Sequence, residues 1–247
     1  MIDRVFVVMP AFNAGATVEK VFDRIPAEAR ARVARYVVVD DGSTDDTAAA
    51  LARLGEKFGN VTVLSHGRNR GYGAAEKTLL AYARREGAQA AVLLHADGQY
   101  SPERILDLLA PLDRCEADIV QGSRMLGGGA LRGGMPVYKY LANRTLTAIE
   151  NSAFRMKLAE YHSGYLVYSR RVLEDLPFER LSDSFDIDIE MMVCGRILGM
   201  PIKEIAIPTI YAGEVSHLRP VRYGLDVLRI VKKYRRGDYH RLLGDGS

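Results

Sequence analysis

The chain has 247 residues, 48% of them hydrophobic and 26% charged, which predicts a globular protein built as one large domain or as two halves. Its formal net charge of +3 is too small to indicate a nucleic-acid partner. No stretch approaches the roughly 20 apolar residues of a membrane span, and Cys115 and Cys194, in no metal-ligand spacing, are interpreted as buried thiols, so we expect a cytoplasmic protein.

The first half alternates strand-like and helix-like segments, the pattern of a mostly parallel sheet with helices on its faces. Helices are expected after Ser43-Thr44, after Gly71-Tyr72-Gly73 and after Ser101-Pro102, where serine is a favoured N-cap and proline a favoured first helical residue. Near-continuous apolar runs predict buried parallel strands at residues 5–9, 36–39, 61–64, 91–94 and 119–120.

The second half has a different pattern. Glycines between residues 127 and 134 predict a flexible loop, and helical periodicity predicts a long helix over residues 137–154. A strand near 165–168, a helix near 189–198 and a strand near 203–207 follow. We divide the chain into halves at residues 1–125 and 126–212, which we expect to share one core, and a tail at residues 213–247.

Polar residues follow each of the five predicted strands of the first half. Open parallel sheets bind ligands at the carboxyl ends of their strands, where loops and helix N-termini converge. Each segment taken alone could be a turn, an N-cap or a solvated arginine, but their order together indicates a nucleotide-diphosphate site. The segments are Pro10-Ala11-Phe12-Asn13, Asp40-Asp41-Gly42-Ser43-Thr44-Asp45, Asn69-Arg70-Gly71-Tyr72-Gly73, His95-Ala96-Asp97-Gly98-Gln99 and Gln121-Gly122-Ser123-Arg124.

These five segments in this order resemble family 2 glycosyltransferases and, within that family, the polyprenyl-phosphate mannosyl- and glucosyltransferase branch. The resemblance covers residue 4 to about residue 212 and specifies the family far better than the substrate. It implies a GT-A fold, a Rossmann-like sheet with a smaller acceptor-side region. It also implies an inverting transfer of a sugar from a UDP- or GDP-linked donor, bound by the first half, to a polyprenyl-phosphate, other lipid-linked or hydroxyl acceptor, bound by the second.

The resemblance also assigns residues. Asp97 and Gln99 would hold a Mg²⁺ or Mn²⁺ that bridges the diphosphate, and carboxylate and amide oxygens suit such hard cations. Arg124 would offer an always-ionised fork to phosphate oxygens of the donor or the acceptor. The nucleotide itself would be bound by Pro10, Ala11, Phe12, Asn13, Asp41, Asn69, Arg70, Gly71, Gly73, His95 and Ala96.

Two residues depart from the family pattern. His95 stands where the metal motif usually has its first aspartate. Either His95 is a direct or indirect metal ligand, which imidazole permits for manganese, or Asp97 with Gln99 suffices, and we favour the second interpretation. A catalytically inactive nucleotide-sugar-binding or scaffold protein of the same fold is the alternative function. Ala14 stands where dolichol-phosphate mannosyltransferases usually have an acid, which weakens the case for their donor.

The segment from Phe185 to Glu190 resembles the family's Phe-Asp-x-Glu region, and Asp188 and Glu190 align with it. The alternative is structural, because acidic residues are also favoured at a helix N-terminus. A hydroxyl acceptor must lose a proton and therefore needs a base, for which Asp188 is the first candidate and Asp186 the next. A phosphate acceptor is already an anion and needs no base.

Residues 219–236 hold seven arginines and lysines against one acid, Asp226. A basic helix with an apolar stripe predicts contact with an anionic membrane surface, which would place the protein peripherally on the inner face of the membrane. The alternative is a helix packed on the domain with its charges in water. Lys139 and Arg144 on the predicted long helix are candidates for contact with an acceptor phosphate, or else belong to a solvated face.

Overall fold

The computed structural model describes residues 2–208 and 220–244. Its strands are β1 (Val5–Ala11), β2 (Val33–Asp40), β3 (Val61–Ser65), β4 (Ala90–Leu93), β5 (Ile119–Ser123), β6 (Leu166–Ser169) and β7 (Ile202–Ala206). They form one sheet in the order β3-β2-β1-β4-β6-β5-β7. Only β6 among these pairs runs antiparallel to its neighbours, β4 and β5. The predicted mostly parallel α/β sheet is confirmed.

Helices connect these strands. The described helices are α1 (Val18–Asp23), α2 (Ala27–Arg32), α3 (Thr47–Phe58), α4 (Tyr72–Arg85), α5 (Ile105–Asp113), α6 (Gly129–Arg132), α7 (Val137–Phe154), α8 (Arg170–Asp175), α9 (Ile187–Ile197), α10 (Pro220–Arg235) and α11 (Asp238–Gly244). Short 3-10 turns cover Pro102–Arg104, Leu126–Gly128 and Phe178–Arg180. The long helix expected over residues 137–154 is confirmed at both ends.

The central strands are apolar throughout because both faces of the sheet are covered. Phe6 and Val8 of β1 pack in one core layer with residues of α4, α8 and α9. Val5 and Val7 point to the opposite layer, which includes residues of α1, α3 and α5. Full burial of such a side chain contributes about 1.5–3 kcal/mol. The two layers hold the carboxyl ends of the strands in fixed positions.

Some details of the sequence prediction are wrong. Among the described strands β3 pairs with β2 alone, so β3 is an edge strand rather than a buried one, and Val63 is 43% exposed. The glycine-rich stretch is not loop throughout, since a 3-10 turn and α6 form there. Ser101 precedes its 3-10 turn without a side-chain capping hydrogen bond. Cys115 is exposed, whereas Cys194 is buried as expected.

One sheet runs through both predicted halves of the chain, because β6 lies between β4 and β5. The tail contributes α10, which packs on α7 and α9, and α11. Residues 209–219, which include Arg219 and the predicted boundary at 212, lie outside the described residues. Within the described part of the chain, no helix has the length and apolar character needed to cross a membrane.

Candidate active site

The first two strands end in loops that form one surface. In register, Ala11 of β1 pairs with Asp40 of β2. Beyond that pair, the backbone N–H of Asn13 donates to Ser43 Oγ over 2.9 Å, and the N–H of Thr44 donates to Asn13 Oδ1 over 2.9 Å. Asn13 adopts a left-handed backbone (φ 51°), which asparagine tolerates better than most residues. The predicted segment 10–13 is therefore held against the second strand end.

Asp41 holds the loop at residues 69–73 through hydrogen bonds to its backbone. Its buried carboxylate accepts the backbone N–H groups of Arg70 (3.0 Å) and Gly71 (2.9 Å), and His66 Nδ1 lies 2.6 Å from Oδ1. Asn69 is exposed and its Oδ1 also accepts the N–H of Gly71. Asp41 thus fixes the loop that was expected to close over a nucleotide. Its predicted contact with the base or ribose stays a prediction.

Gly71 and Gly73 allow another loop to approach this one closely. A Cβ on Gly73 would lie 2.6 Å from the carbonyl oxygen of Ser182, and one on Gly71 would lie 2.8 Å from the carbonyl oxygen of Asp183. Lys77 Nζ, one turn further along α4, donates to Asp183 Oδ1 over 2.9 Å. The loop before α9 is therefore seated directly on the start of α4, and this brings α9 to the strand ends.

The fourth strand ends in a tight turn at Asp97. The N–H of Gln99 donates to Asp97 Oδ1 over 2.9 Å, across Gly98 with its φ of 80°. The carbonyl of Ala96 accepts the Thr17 hydroxyl over 2.8 Å. The described residues contain no group of three or more His, Cys, Asp or Glu that could hold a metal. Asp97 and Gln99 fit a cation held jointly with a substrate, because Mg²⁺ is usually bound through one or two carboxylates plus phosphates.

His95 packs among aromatic rings. Its Nε2 lies 3.2 Å from the hydroxyl oxygen of Tyr72, and its ring meets Tyr100 edge-on at a centroid distance of 4.9 Å. Burial lowers the pKa of the imidazole; the nearby Asp97 carboxylate opposes this effect and the Arg124 guanidinium adds to it. This packing supports the interpretation in which His95 is not a metal ligand. Asp97 and Arg124 both lie close enough to His95 to affect its charge.

Arg124 follows β5 and meets a buried acid that the sequence analysis did not select. Its backbone N–H donates to Glu160 Oε1 (2.6 Å), and its Nη2 donates to Glu160 Oε2 (3.2 Å) and to the carbonyl of His162 (2.5 Å). Asn143 of α7 also donates to Glu160 (3.2 Å). Glu160 is fully buried, whereas 18% of the Arg124 side chain is exposed. Glu160 therefore orients the guanidinium.

Asp188 reaches the same region from the first turn of α9. The hydroxyl of Tyr72 donates to its carboxylate at 3.1 Å (Oδ2) and 3.3 Å (Oδ1). Phe185 stacks on the ring of Tyr72 at a centroid distance of 5.2 Å. Burial raises the pKa of Asp188 to about 7, although hydrogen bonds from Glu76 and Tyr72 oppose the rise. A carboxylate with that pKa can accept a proton near neutral pH.

Glu190 faces a different part of the molecule. Its buried carboxylate accepts the N–H of Ser182 (2.7 Å), Lys233 Nζ (2.9 Å) and the Tyr239 hydroxyl (2.6 Å). Residues two apart on a helix do not share a face, so Glu190 lies away from Asp188. The structure places this predicted catalytic residue in the packing of α9 against α10 and α11.

The sequence analysis also missed Glu76, a buried residue of α4. One signal was available: Glu76 shares a helical face with Leu80 and Ala83, both buried, so a helical wheel would put a carboxyl group in the core. Glu160 carried no comparable signal, because its partner Arg124 is far away along the chain. His162, whose carbonyl accepts from Arg124, has its Nδ1 3.0 Å from the Tyr223 hydroxyl oxygen.

The sequence pattern that defines glycosyl transferase family 2 matches residues 6–177. The chain belongs to glycosyl transferase family 2. It is a glycosyltransferase, and the resemblance of its five strand-end segments to this family is confirmed.

Two relatives carry names from the dolichyl-phosphate branch of family 2. The UDP-N-acetylglucosamine–dolichyl-phosphate N-acetylglucosaminyltransferase of Methanococcus voltae is 25% identical over 219 residues, 84% of this chain and 86% of the relative. The dolichol-phosphate mannosyltransferase of Pyrococcus furiosus is 25% identical over 195 residues, 78% of this chain and 53% of the relative. These relatives confirm the branch predicted from the motifs.

One solved structure with a similar fold is that of the glucosyl-3-phosphoglycerate synthase of Mycobacterium tuberculosis in complex with Mn²⁺, UDP and phosphoglyceric acid. It superimposes with a TM-score of 0.69 at 21% identity, covering 95% of this chain and 79% of that one. The same enzyme was also crystallised with Mg²⁺ and UDP. At this identity the similarity concerns the fold, and it confirms the GT-A architecture predicted for this chain.

Proposed function

We propose that this glycosyltransferase moves a sugar, with inversion, from a UDP- or GDP-linked donor to a polyprenyl-phosphate acceptor. The observation that carries the proposal is that Asp97 and Arg124, which follow β4 and β5, both lie close enough to His95 to affect its charge, and that Asp188 is joined to His95 through Tyr72. A carboxylate for a cation, a guanidinium for phosphate and a carboxylate near the acceptor side then border one site. The names of two relatives support the lipid-phosphate acceptor.

The donor would lie across the first four strand ends. The segment Pro10, Ala11, Phe12, Asn13 would bind the base and ribose, where Phe12 offers an exposed ring. Asp97, with Gln99, would hold Mg²⁺ or Mn²⁺ against the diphosphate. When bound, such a cation neutralises charge that develops on the leaving diphosphate.

Arg124 would bind phosphate oxygens that arrive beside His95. Its partial exposure leaves it accessible, and Glu160 holds it in one orientation, which is how a positioned guanidinium stabilises developing charge without reorganising. The ion pair with Glu160 does not prevent Arg124 from binding phosphate, since the guanidinium has five N–H donors and Glu160 is only one of its partners.

The role of Asp188 depends on the acceptor. A phosphate monoester is an anion and attacks without a base, so Asp188 would then position the acceptor or a cation. A hydroxyl acceptor must lose its proton, and Asp188 would accept it, because its pKa of about 7 suits a general base near neutral pH. Glu190 has no part in this proposal, because three hydrogen bonds commit it to packing.

The test is a transfer assay with defined partners. The chain is mixed with UDP- or GDP-linked hexoses, Mn²⁺ or Mg²⁺, and vesicles that contain a polyprenyl phosphate, and mass spectrometry follows the sugar-phosphate lipid. A parallel arm supplies small hydroxyl compounds instead. We expect a lipid product and an equal amount of free nucleoside diphosphate. Nucleotide binding without product or diphosphate release from any pair would favour the inactive, binding or scaffold alternative.

A membrane surface would bring the enzyme to such an acceptor. α7 and α10 pack together, and both expose apolar side chains, namely Tyr138 (66% exposed), Leu141 (57%) and Leu225 (58%). Exposed cations follow at Lys232 and Arg235 on α10 and at Arg236 directly after it. Apolar side chains beside cations suit an interfacial helix on anionic lipid. We therefore extend the predicted membrane contact of the tail to the exposed face of α7.

A further inference from the structure

Glu76 is a carboxyl group inside the core of the protein. It lies on the second turn of α4, its relative exposure is 0%, and its Oε1 accepts the hydroxyl of Tyr168 on β6 over 3.1 Å. Among the described residues no donor hydrogen-bonds to Oε2. An ionised carboxylate in this position would leave one charged oxygen without a donor, and burying such a group costs several kcal/mol.

Among the charged and titratable groups around Glu76, Asp188 opposes its ionisation, whereas the Tyr168 hydroxyl and Lys77 favour it. Asp188 faces it from α9 and Tyr168 from β6, while Tyr72 and Lys77 lie on its own helix. Burial raises the pKa of Glu76 well above its ordinary value, and the negative charge of Asp188 adds to the rise. Lys77 acts in the opposite sense but is the weakest of these influences, and its Nζ already binds Asp183. Burial and Asp188 together therefore favour the protonated, neutral form of Glu76.

Asp188 has the complementary requirement. It is 7% exposed, and a buried carboxylate that is to ionise needs hydrogen-bond donors. Tyr72 supplies one donor at 3.1 Å. A protonated Glu76 supplies another, because its carboxyl group lies within hydrogen-bonding reach of Asp188 and its Oε2 has no partner among the described residues.

We propose that Glu76 is a positioning residue: a buried carboxylic acid that keeps its proton and presents it to Asp188, so that Tyr72 and Glu76 together orient and stabilise the ionised Asp188 carboxylate. The proton stays on Glu76 throughout, so no bond to substrate forms there. The effect on sugar transfer rests on the function proposed above, whereas the neutrality of Glu76 does not.

Substitution of Glu76 by glutamine or by leucine distinguishes a hydrogen-bond donor from a side chain that only fills volume. Glutamine has the shape of a protonated glutamate, with a carbonyl that can accept the Tyr168 hydroxyl and an amide that can donate to Asp188. Leucine fills a similar volume and offers neither. If Glu76 only fills space, the two variants will behave alike.

The first experiment needs no activity. Thermal unfolding of wild type and Glu76→Gln is compared from pH 5 to pH 8. The folded wild type holds a proton that its unfolded chain, with an ordinary pKa of 4.5, releases. Stability from this group is complete below pH 4.5 and is lost as pH rises toward the folded-state pKa. The Tm of Glu76→Gln should therefore gain on that of wild type as pH increases. A constant difference, or a gain by wild type, would overturn the proposal.

The second experiment follows transfer to a hydroxyl acceptor as a function of pH. Glu76→Gln should keep the acidic limb of kcat/KM at the wild-type position, whereas Glu76→Leu should move it to higher pH, because Asp188 loses a donor to its ionised form. Each unit of displacement lowers the rate on that limb about tenfold. An unmoved limb in Glu76→Leu, or an equal displacement in both variants, would contradict the positioning role. If the wild type transfers sugar to neither a hydroxyl nor a phosphate acceptor, the proposed function fails; if it transfers sugar only to a phosphate acceptor, that function stands. In either case the unfolding comparison still decides the state of Glu76.

Discussion

The backbone N–H of Gly73 donates to the carbonyl of Asp183 over 3.0 Å, so the start of α4 and the loop before α9 are in direct contact. A Cβ on Gly73 would lie 2.6 Å from the carbonyl carbon of Asp183. Gly73→Ala should push this loop away, lower the free energy of unfolding by about 1–3 kcal/mol, as overpacking typically does, and weaken nucleotide binding. Urea unfolding and nucleotide titration measure the two effects.

Gly55→Ala is the matched control for that substitution. Gly55 lies inside α3, and a Cβ there meets nothing within 4 Å. Alanine should stabilise this helix by roughly 0.5–1 kcal/mol, because glycine is the poorer helix former. If Gly73→Ala were as harmless as Gly55→Ala, the close approach of the two segments would not exist in solution.

The Arg124–Glu160 pair should matter for stability because Glu160 is fully buried. Arg124→Met leaves that carboxylate without its cation, and removal of one partner of a buried pair costs about 3–5 kcal/mol. The control is Arg53→Ala, whose pair with Glu19 is shorter, at 2.7 Å against 3.2 Å, but about half exposed. Such surface pairs contribute at most about 1 kcal/mol. Equal losses in urea unfolding would contradict the buried position of Glu160.

The pH profile of transfer to a hydroxyl acceptor should have an acidic limb that is caused by Asp188. A base must be unprotonated, so kcat/KM should fall as pH drops through about 7, the raised pKa of Asp188. Asp188→Asn should remove most of this activity, and the limb with it, yet reduce transfer to a phosphate acceptor far less. An unchanged limb in Asp188→Asn would assign the proton to another group.

The exposed face of α7 should contribute to binding of anionic vesicles. Tyr138→Glu and Leu141→Glu add negative charge to an apolar surface beside cationic α10, so co-flotation with vesicles of anionic lipid should decrease. Val63→Glu is the control, since Val63 is 43% exposed on the edge strand β3. Flotation that is absent at low salt, or equally reduced by all three substitutions, would rule out this surface.

The strands and their polar ends could be predicted because both are local patterns. Runs such as Val5 to Val8 need burial on both faces, and Asp97-Gly98 marks a turn directly after a strand. The sequence pattern could not reveal which face of α9 borders the site and which packs against other helices. Asp188 and Glu190 stand two residues apart in one acidic motif, but only the packing of α10 and α11 commits Glu190 to a structural role.

The buried acids were out of reach for a related reason. Glu160 is held beside Arg124, and Glu76 beside Asp188, by chain segments that meet only in the folded sheet. A sequence shows a carboxyl group but not whether a distant guanidinium or tyrosine will meet it. The edge position of β3 was missed in the same way, since strand order depends on which strands pair and not on the composition of one strand.

We propose that a metal at Asp97 completes the nucleotide-diphosphate site. The most direct test of this proposal is thermal unfolding with UDP, GDP, CDP or dTDP, each with and without Mn²⁺, for wild type and Asp97→Ala. A nucleotide at 100 times its Kd stabilises the folded state by about 2.7 kcal/mol. We predict a metal-dependent rise in Tm with UDP or GDP that Asp97→Ala abolishes. No rise with any nucleotide, or the same rise in Asp97→Ala, would contradict it.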